Sequence, residues 1–434
     1  LTLLTYPSNA GAQFQLERGI ITPESVSYAK QELNRLYYDI ISVLKEYIDT
    51  SEENYTLISL WIMGTYFHQE FNTYPFLFFN AMKGSAKTRT LKLISALGAL
   101  GDGSVQNNIS DAVLFRIPKG TTTCIDEAEQ IGSKEKQTLR ELLNSAYKKG
   151  TKVKRMKKIK NKEGETHVTE SFEPYIPIAL ANIWGLDEVL SDRSITRVLE
   201  KSDNPFFTKK IEDFDTNKKI LDLKFALIKV SVVSVMSLRK KTYIQHWNDY
   251  INYKYNNTNN IYNTNIINND NSIHQEIIED FDRIHFFERV DQSGISGRNF
   301  ELFFPLMVMA QEIGEEVFDN FFSIAQAQAQ EKKEAEFSES KDVSLYEFIA
   351  LHCFSLEMYP LKMLCYNFRQ FLGESDVQDQ WLNEKWLGRA LKRLNLLTES
   401  KRVSTGRMVR LHTSKAMEKL KIFKDITLKD KNEP

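Results

Sequence analysis

Cysteine is among the scarcest residues of this chain, with three in 434 positions. Cys124, Cys353 and Cys365 are too few and too scattered for the disulfide framework of a small secreted domain or for a zinc site. Each lies in an apolar stretch, which favours a small buried core residue. The cysteine content fits a reducing compartment, and we expect a cytoplasmic location.

The sequence also lacks long apolar runs and an excess of charge of either sign. No stretch approaches the roughly 20 apolar residues of a membrane helix, so no membrane partner is expected. The formal net charge is −1, so nucleic-acid binding would depend on local basic patches. The first residues have no basic start and no initiator methionine, so we expect no signal peptide and interpret the chain as a piece of a longer protein.

Secondary-structure patterns alternate through the first half of the chain. Apolar residues at helical spacing predict a long helix after Pro23 and another at 56–71. The predicted strands that follow are 74–80, 104–106, 121–125, 175–181 and 195–200, with helices at 88–99, 110–117 and 134–148. Alternating strands and helices predict a parallel α/β sheet. Beyond residue 200 the pattern is mostly helical, with an Asn-rich, low-complexity insertion at 250–272.

A phosphate-loop pattern follows the first predicted strand, where residues 80–90 read NAMKGSAKTRT. Lys87 and Thr88 match the end of the pattern G-x-x-x-x-G-K-[ST], whereas Ala81 and Ala86 replace its two glycines. Main-chain amides would face the phosphates of ATP, Lys87 would contact the β- and γ-phosphates, and Thr88 would bind Mg²⁺. The predicted nucleotide-binding residues are Ala81, Met82, Lys83, Gly84, Ser85, Ala86, Lys87, Thr88 and Arg89. A chance match is the alternative.

A pair of carboxylates ends the predicted strand 121–125. Ligands bind at the carboxyl edge of an open parallel sheet, where Asp126 and Glu127 would lie. Asp126 would hold Mg²⁺ and Glu127 would activate the attacking water as a general base. The alternative is an acidic start to the next helix, since carboxylates favour that position.

Three further polar residues are candidates for sensing or stabilising the γ-phosphate. Asn182 ends the strand in YIPIALAN and could position the water, unless it only closes a turn. Arg193 precedes the last strand and could act on the nucleotide of a neighbouring subunit as an arginine finger, with Arg197 as second choice. A surface ion pair with a nearby carboxylate is the alternative for Arg193. Arg298 opens an apolar helix and could close over the nucleotide as a second sensor.

A basic segment lies between the two predicted site strands. From Lys148 to Lys162 every charge is positive, residues 161–164 (NKEG) form a turn signal, and THVTESF follows as a returning strand. The pattern predicts a β-hairpin inserted before residue 175. A solvated basic loop is the alternative.

The C-terminal part reads as three helices followed by a two-stranded wing, which is the winged-helix pattern. The third helix carries Lys385, Arg389, Lys392 and Arg393, and the wing carries Arg407 among other cations. A basic helix with a basic wing suits duplex or fork DNA. A winged helix used only for protein contacts is the alternative.

Together these motifs resemble AAA+ ATPases, and more narrowly the superfamily 3 and minichromosome-maintenance-like replicative helicases of viruses, phages and plasmids. The resemblance covers roughly residues 55–310 through AMKGSAKT, TTTCIDE, IALAN and SDRSITRVLE. It implies a P-loop core, ATP and Mg²⁺ as cofactors, and an active site at Lys87, Thr88, Asp126, Glu127, Asn182 and Arg193. It also implies a ring, expected to be a hexamer, in whose channel the hairpin touches single-stranded DNA. The DNA contacts would come from Lys154, Arg155, Lys158, Lys160, Lys162 and His167.

The expected organisation has five parts. They are an N-terminal helical segment (1–72), an AAA+ core (73–202) with the hairpin at 150–172, a helical lid (203–330), a linker (331–342) and a winged-helix domain (343–434). The expected function is an ATP-driven DNA helicase or translocase for a mobile element or virus in its host cell. A nucleotide-switched DNA-binding initiator or loader is the second hypothesis, and a structural DNA-binding protein with a defunct phosphate site is the third.

Overall fold

The computed structural model describes residues 23–107, 109–128, 131, 136–161, 164–240, 243–256, 281–339, 341–373, 382–404 and 406–423. The chain divides into two compact units, Leu1–Gln326 and Ala327–Pro434. This boundary falls near the predicted end of the lid.

The first unit begins with two helices and continues as alternating strands and helices. In chain order these elements are α1 (Pro23–Tyr47), α2 (Glu52–Thr65), β1 (Phe76–Ala81), α3 (Lys87–Leu97), β2 (Gln106–Asn107), α4 (Asp111–Leu114), β3 (Thr123–Asp126), α5 (Gln137–Ala146), β4 (Val153–Asn161), β5 (Gly164–Phe172), β6 (Ile178–Asn182), α6 (Glu188–Asp192) and β7 (Ser194–Leu199). Ser51 caps α2 with its side chain, which accepts a hydrogen bond from the Asn54 amide. Each predicted strand is present, with its ends shifted by one to three residues.

Five of these strands form one parallel sheet in the order β2-β3-β6-β1-β7. Strand β1 lies between β6 and β7, with Leu77 opposite Ala179 on one side and Ile195 on the other. The residues of β3 and β6 are all buried, which explains their continuous apolar runs, because helices cover both faces of such a sheet. The predicted α/β class is therefore confirmed, and the carboxyl ends of β1, β3 and β6 meet at one edge.

The predicted β-hairpin is also present. Strands β4 and β5 pair antiparallel from Val153–Phe172 at the base to Asn161–Gly164 near the turn. At the base, the rings of Phe115 and Phe172 lie 4.9 Å apart, and the Arg155 guanidinium lies 5.1 Å from the Phe115 ring centre and 3.4 Å from an Asp111 oxygen. These contacts fix the base of the ribbon to α4 and the residue that follows it.

Helices dominate the rest of the first unit, as predicted. They are α7 (Pro205–Thr208), α8 (Lys218–Lys240), α9 (Tyr243–Asn256), α10 (Phe281–Gln292), α11 (Gly297–Ile313) and α12 (Glu315–Glu339), of which α12 continues past Gln326 into the second unit. The predicted insertion at 250–272 lies outside the described residues from position 257 onward, and positions 250–256 are helical. Because α12 runs to Glu339, the predicted linker at 331–342 is helical over most of its length.

The second unit combines helices with a small antiparallel sheet. Its elements are α13 (Lys341–His352), β8 (Met358–Pro360), α14 (Leu361–Phe371), α15 (Glu384–Arg393), β9 (Leu397–Val403), β10 (Gly406–Leu411) and α16 (Thr413–Phe423). The sheet order is β8-β10-β9. Leu345, Phe368, Leu387 and Leu411 are buried in a shared apolar core. The three predicted helices and the hairpin β9–β10 are confirmed, whereas β8 and α16 were not predicted.

Candidate functional site

The phosphate-loop residues connect β1 to α3 at the carboxyl edge of the sheet. Two of them have left-handed backbone conformations, Gly84 with φ 82° and Ala86 with φ 60° and ψ 20°. Within the loop, the Ser85 hydroxyl donates to the Met82 carbonyl at 2.8 Å. Ala81 is the last residue of β1, pairs with Leu199 and is not among the residues with positive φ. Alanine is therefore unstrained at position 81, and only Ala86 carries strain that glycine would relieve.

Lys87 and Thr88 converge on the carboxylate that ends β3. The Thr88 hydroxyl donates to Asp126 Oδ2 at 2.5 Å, and the Lys87 ammonium lies 3.5 Å from Asp126 Oδ1. Asp126 is 3% exposed, so this carboxylate is held by polar partners from α3 rather than by water. Asp126 thus meets two other predicted site residues, Thr88 and Lys87, which precede it in sequence by 38 and 39 positions.

The hydroxyl of Thr88 and the carboxylate of Asp126 also fit a magnesium ion. Mg²⁺ prefers oxygen donors and usually takes only one or two from the protein, with the rest from phosphates and water. Among the described residues, no group of three or more His, Cys, Asp and Glu side chains could hold a metal. Thr88 and Asp126 would supply the one or two protein oxygens that such an ion needs.

Glu127 follows Asp126 with a left-handed backbone of φ 55°. Its main-chain amide donates to Asp126 Oδ1 at 2.9 Å, and its exposed side chain lines a cavity beside the phosphate loop. A non-glycine residue with this φ is uncommon and strained. This left-handed conformation turns the chain sharply after β3 and leaves the Glu127 carboxylate accessible from the cavity.

The cavity itself has a volume of about 740 Å³. Part of its lining is the loop, residues 83–89, with Glu127 and Ile183. A second group of lining residues, here called the outer wall, includes Tyr47, Asp49, Ser202, Phe207, Thr208 and Glu212. The outer wall was not predicted, because its residues come from the end of α1 and from the segment after β7.

Tyr47 is the best-fixed residue of the outer wall. Its hydroxyl donates to Asp213 Oδ1 at 2.5 Å and accepts from the Asn217 side chain at 2.7 Å. The Lys210 ammonium lies 4.1 Å from the centre of its ring. Burial, followed by the hydrogen bond to Asp213, raises the pKa of Tyr47 to about 12. The side chain is 1% exposed, so Tyr47 supports the outer wall from inside the unit.

Arg89 was predicted to bind the nucleotide, but the structure gives its guanidinium other partners. It donates to the carbonyls of Phe207 at 2.7 Å and Lys210 at 2.8 Å, and its Nε lies 3.5 Å from Glu212 Oε1. These bonds join the first turn of α3 to the outer wall. Met82 is exposed and does not line the cavity, whereas the other loop residues from Lys83 to Thr88 do.

Asn182 lies at the carboxyl end of β6, next to β1 and β3, as predicted. Its amide closes a turn, donating to the Gly185 carbonyl at 2.6 Å and accepting from the Gly185 amide at 2.8 Å. The structure therefore shows the turn-closing role, and it is the next residue, Ile183, that reaches the cavity. A contact of Asn182 with a phosphate stays a prediction.

Arg193 and Arg298 lie away from the cavity of their own chain. Arg193 immediately precedes β7 and therefore lies at the amino edge of the parallel sheet. Its side chain donates to the Val189 carbonyl at 2.6 Å. Arg298 pairs with Asp192 at 2.9 Å and with Glu301, and it lies 5.1 Å from the Tyr147 ring. Arg298 does not line the cavity of its own chain, and its role as a second sensor that closes over the nucleotide stays a prediction. Arg197 is bound to Asn54 and Glu53 of α2.

The basic residues of the hairpin divide by strand alternation. Positions 154, 156, 158 and 160 share one face of the ribbon, opposite positions 171, 169, 167 and 165. This face contains the predicted Lys154, Lys158, Lys160 and His167. Arg155 is on the other face and is paired with Asp111, which anchors the base of the hairpin, and its DNA contact stays a prediction. Lys162 lies outside the described residues.

The basic residues of the second unit lie on α15 and the β9–β10 hairpin. Lys385, Arg389 and Lys392 are exposed on α15 at spacings of four and three, which places them on one face. Arg393 is paired with Asp342 at 2.7 Å, so its predicted DNA contact competes with an ion pair inside the unit. In the hairpin, Arg407 lies directly opposite Arg402, and like charges at such a position are destabilising.

Comparison with known proteins does not assign the chain to a family. No protein-family model matches the sequence, and no curated protein matches it. In the described part of the chain, no helix is long and apolar enough to cross a membrane.

Proposed function

We propose that the chain is a Mg²⁺-dependent ATPase that works as a ring-forming DNA helicase or translocase in the replication of a mobile element or virus inside its host cell. The observation that carries the proposal is the convergence of Lys87 and Thr88 on Asp126 at the carboxyl edge of the sheet. A loop between a buried strand and a helix start supplies amides for phosphates. An AAA+-like P-loop core is the reading that these features support best.

The roles of the site residues follow from their chemistry. Lys87 would neutralise charge on the β- and γ-phosphates, and Thr88 with Asp126 would hold the metal. A Mg²⁺ ion held there would supply positive charge against the charge that develops as the γ-phosphoryl group is transferred. Glu127, accessible in the same cavity, would accept a proton from the attacking water. Phe207, a half-buried residue of the outer wall, offers aromatic surface for the base.

The DNA-binding part of the proposal rests on two basic surfaces. The lysines at positions 154, 158 and 160, which share one face of the hairpin, suit sequence-independent contacts to phosphates. In the second unit, the order of α13, β8, α14, α15 and the β9–β10 hairpin supports a winged helix in which α15 is the recognition helix. Arg402 and Arg407 lie opposite each other in the wing and repel each other. An anion that binds between or beside them would offset this repulsion.

A ring is part of the proposal because of the assigned role of Arg193. Arg193 at the amino edge of the sheet would have to act on the nucleotide of a neighbouring subunit, since the cavity of its own chain is at the carboxyl edge. Head-to-tail contacts of this kind close into rings, and we expect a hexamer.

The decisive experiment is ATP hydrolysis with and without single-stranded DNA. We expect DNA-stimulated turnover that falls at least about 100-fold in Lys87→Ala, because a transition-state contact worth about 3 kcal/mol is lost. Lys119→Ala is the matched control, since Lys119 pairs with Glu173 on the surface and does not line the cavity. A strand-displacement assay on forked DNA then separates a helicase from a translocase. Turnover that survives in Lys87→Ala would refute the proposal.

A nucleotide-switched DNA-binding initiator or loader is the second candidate. It is favoured by the commitment of Asn182 to a turn and of Arg89 to the outer wall, which leaves fewer groups to stabilise the transition state. ATP binding without DNA-stimulated turnover in the same assay would support it.

A further inference from the structure

Two side chains of α3 reach the segment after β7 that lines the cavity: Lys92 pairs with Glu212 at 2.9 Å, and Arg89 binds the main chain of the segment. Arg89 follows Thr88 directly, and its side chain is only 16% exposed. Its NH1 group donates to the Phe207 carbonyl at 2.7 Å and its NH2 group donates to the Lys210 carbonyl at 2.8 Å. The two groups of the fork thus bind two carbonyls of one segment, a geometry that only a planar guanidinium offers.

The segment that Arg89 holds has little regular structure of its own. It contains the single-turn helix α7, and the residues between Thr208 and Lys218 belong to no helix. Phe207, Thr208 and Glu212 from this segment line the cavity. A short segment without a hydrogen-bonded ladder depends on side-chain bonds from its surroundings for a fixed position.

The same guanidinium also reaches the other component of the outer wall. Its NH1 group lies 3.4 Å from the carbonyl of Tyr47, the last residue of α1. Arg89 therefore fixes Phe207 relative to Tyr47, and both relative to Lys87 and Thr88. Phe207 is half-buried and lines the same cavity as the loop, so a triphosphate on the loop would extend its nucleoside toward this ring.

We infer that Arg89 is a positioning residue for the nucleoside, which sets the affinity for the base-bearing part of the substrate without touching the phosphates. This inference rests on the proposed function, because it assumes that a nucleoside triphosphate occupies the cavity. It differs from the role expected at this position of the phosphate-loop motif, in which the residue binds the nucleotide directly. Arg89→Ala weakens binding of ATP and leaves binding of a base-free triphosphate unchanged.

The test compares two ligands by isothermal titration calorimetry in the presence of Mg²⁺, namely ATP and inorganic tripolyphosphate. In Arg89→Ala we expect the dissociation constant for ATP to rise at least about tenfold, and that for tripolyphosphate to change less than about twofold. Phe207→Ala removes the ring that Arg89 positions and leaves Arg89 in place, so the same selective loss is expected. Arg116→Ala is the matched control, because Arg116 also donates to a backbone carbonyl, that of Ala112, outside the cavity.

The outcomes are distinguishable. Equal weakening of both ligands in Arg89→Ala would overturn the inference and return Arg89 to phosphate binding or to support of the loop. No weakening of either ligand in Arg89→Ala would overturn it as well. If the unsubstituted chain bound neither ligand, the proposed function would fail first and the inference with it. If Arg89→Ala is poorly folded, the response of Phe207→Ala decides, since loss of ATP and tripolyphosphate binding together would contradict a role confined to the nucleoside.

Discussion

Substitution of Ala86 by glycine tests the conformation of the phosphate loop through the sign of the stability change. Residue 86 has φ 60° and ψ 20°, a conformation that costs an L-residue roughly 1–2 kcal/mol. Glycine removes that cost but loses about 0.4–1 kcal/mol through the greater freedom of the unfolded chain. The net expectation for Ala86→Gly is a stabilisation of about 0.5 kcal/mol. An alanine in ordinary helical conformation would give the opposite sign.

The control lies on the same helix. Ala96 is a buried residue of α3, so Ala96→Gly loses about 1 kcal/mol of helix propensity and about 0.8 kcal/mol for the buried methyl group. The two variants should therefore differ by about 2 kcal/mol. Urea unfolding followed by tryptophan fluorescence reports this difference for the first unit, in which Trp61 is fully buried.

One result would refute the reasoning. If Ala86→Gly were destabilised by about 1 kcal/mol, like a helical alanine, residue 86 would not be left-handed. The loop would then differ from the one that places Lys87 and Thr88 beside Asp126. A stabilised variant that also binds ATP at least as well as the parent would show that alanine at this position limits stability rather than function.

Three further predictions concern pH, salt and the wing. Burial lowers the pKa of His68 to about 4, so the folded state favours neutral histidine. The free energy of unfolding should therefore fall by about 2 kcal/mol from pH 8 to pH 5. Urea titrations should show a smaller fall in His68→Gln, and an equal fall would contradict the assignment of this pH dependence to His68. Removing the cations of Lys385, Arg389 and Lys392 together should reduce the slope of the logarithm of the duplex-binding constant against the logarithm of the salt concentration by about 2.7. Fluorescence anisotropy at several salt concentrations measures this slope. An unchanged slope would exclude α15 from the interface. Arg407→Ala should raise the unfolding free energy of the second unit by a few tenths of a kcal/mol while weakening DNA binding, and a loss of both in denaturation and anisotropy measurements would argue for a structural role.

The features that the sequence predicted depend on local signals. A buried apolar strand, a loop with Lys-Thr and a helix are contiguous in residues 76–97, and the hairpin is specified by its turn and by two facing strands. The parallel sheet followed from the alternation of such segments. These predictions needed no knowledge of contacts between distant residues, and the structure agrees with them to within a few residues.

The features that were missed depend on distant contacts or on a misjudged composition. Tyr47 reaches the cavity from a helix that precedes the sheet, and Arg89 bonds carbonyls about 120 positions away, so neither partner is visible in a local pattern. Arg298 is drawn to Asp192 by a contact across 106 positions. The predicted linker is different, since its Ala, Gln, Glu and Lys residues are good helix formers and should have indicated the continuation of α12.

The hairpin has a mechanical consequence. Nine residues per strand give arms about 30 Å long, and the anchoring contacts described above lie at the base, where Arg155 meets Asp111 and Phe115. The chain passes from Phe172 into β6, whose following residue Ile183 borders the cavity. Such a ribbon is a cantilever: a tilt of about ten degrees at its attachment would swing the free end by about 5 Å, given that arm length. Under the proposed function, a small displacement beside the phosphate would be enlarged at the far end in proportion to this arm length.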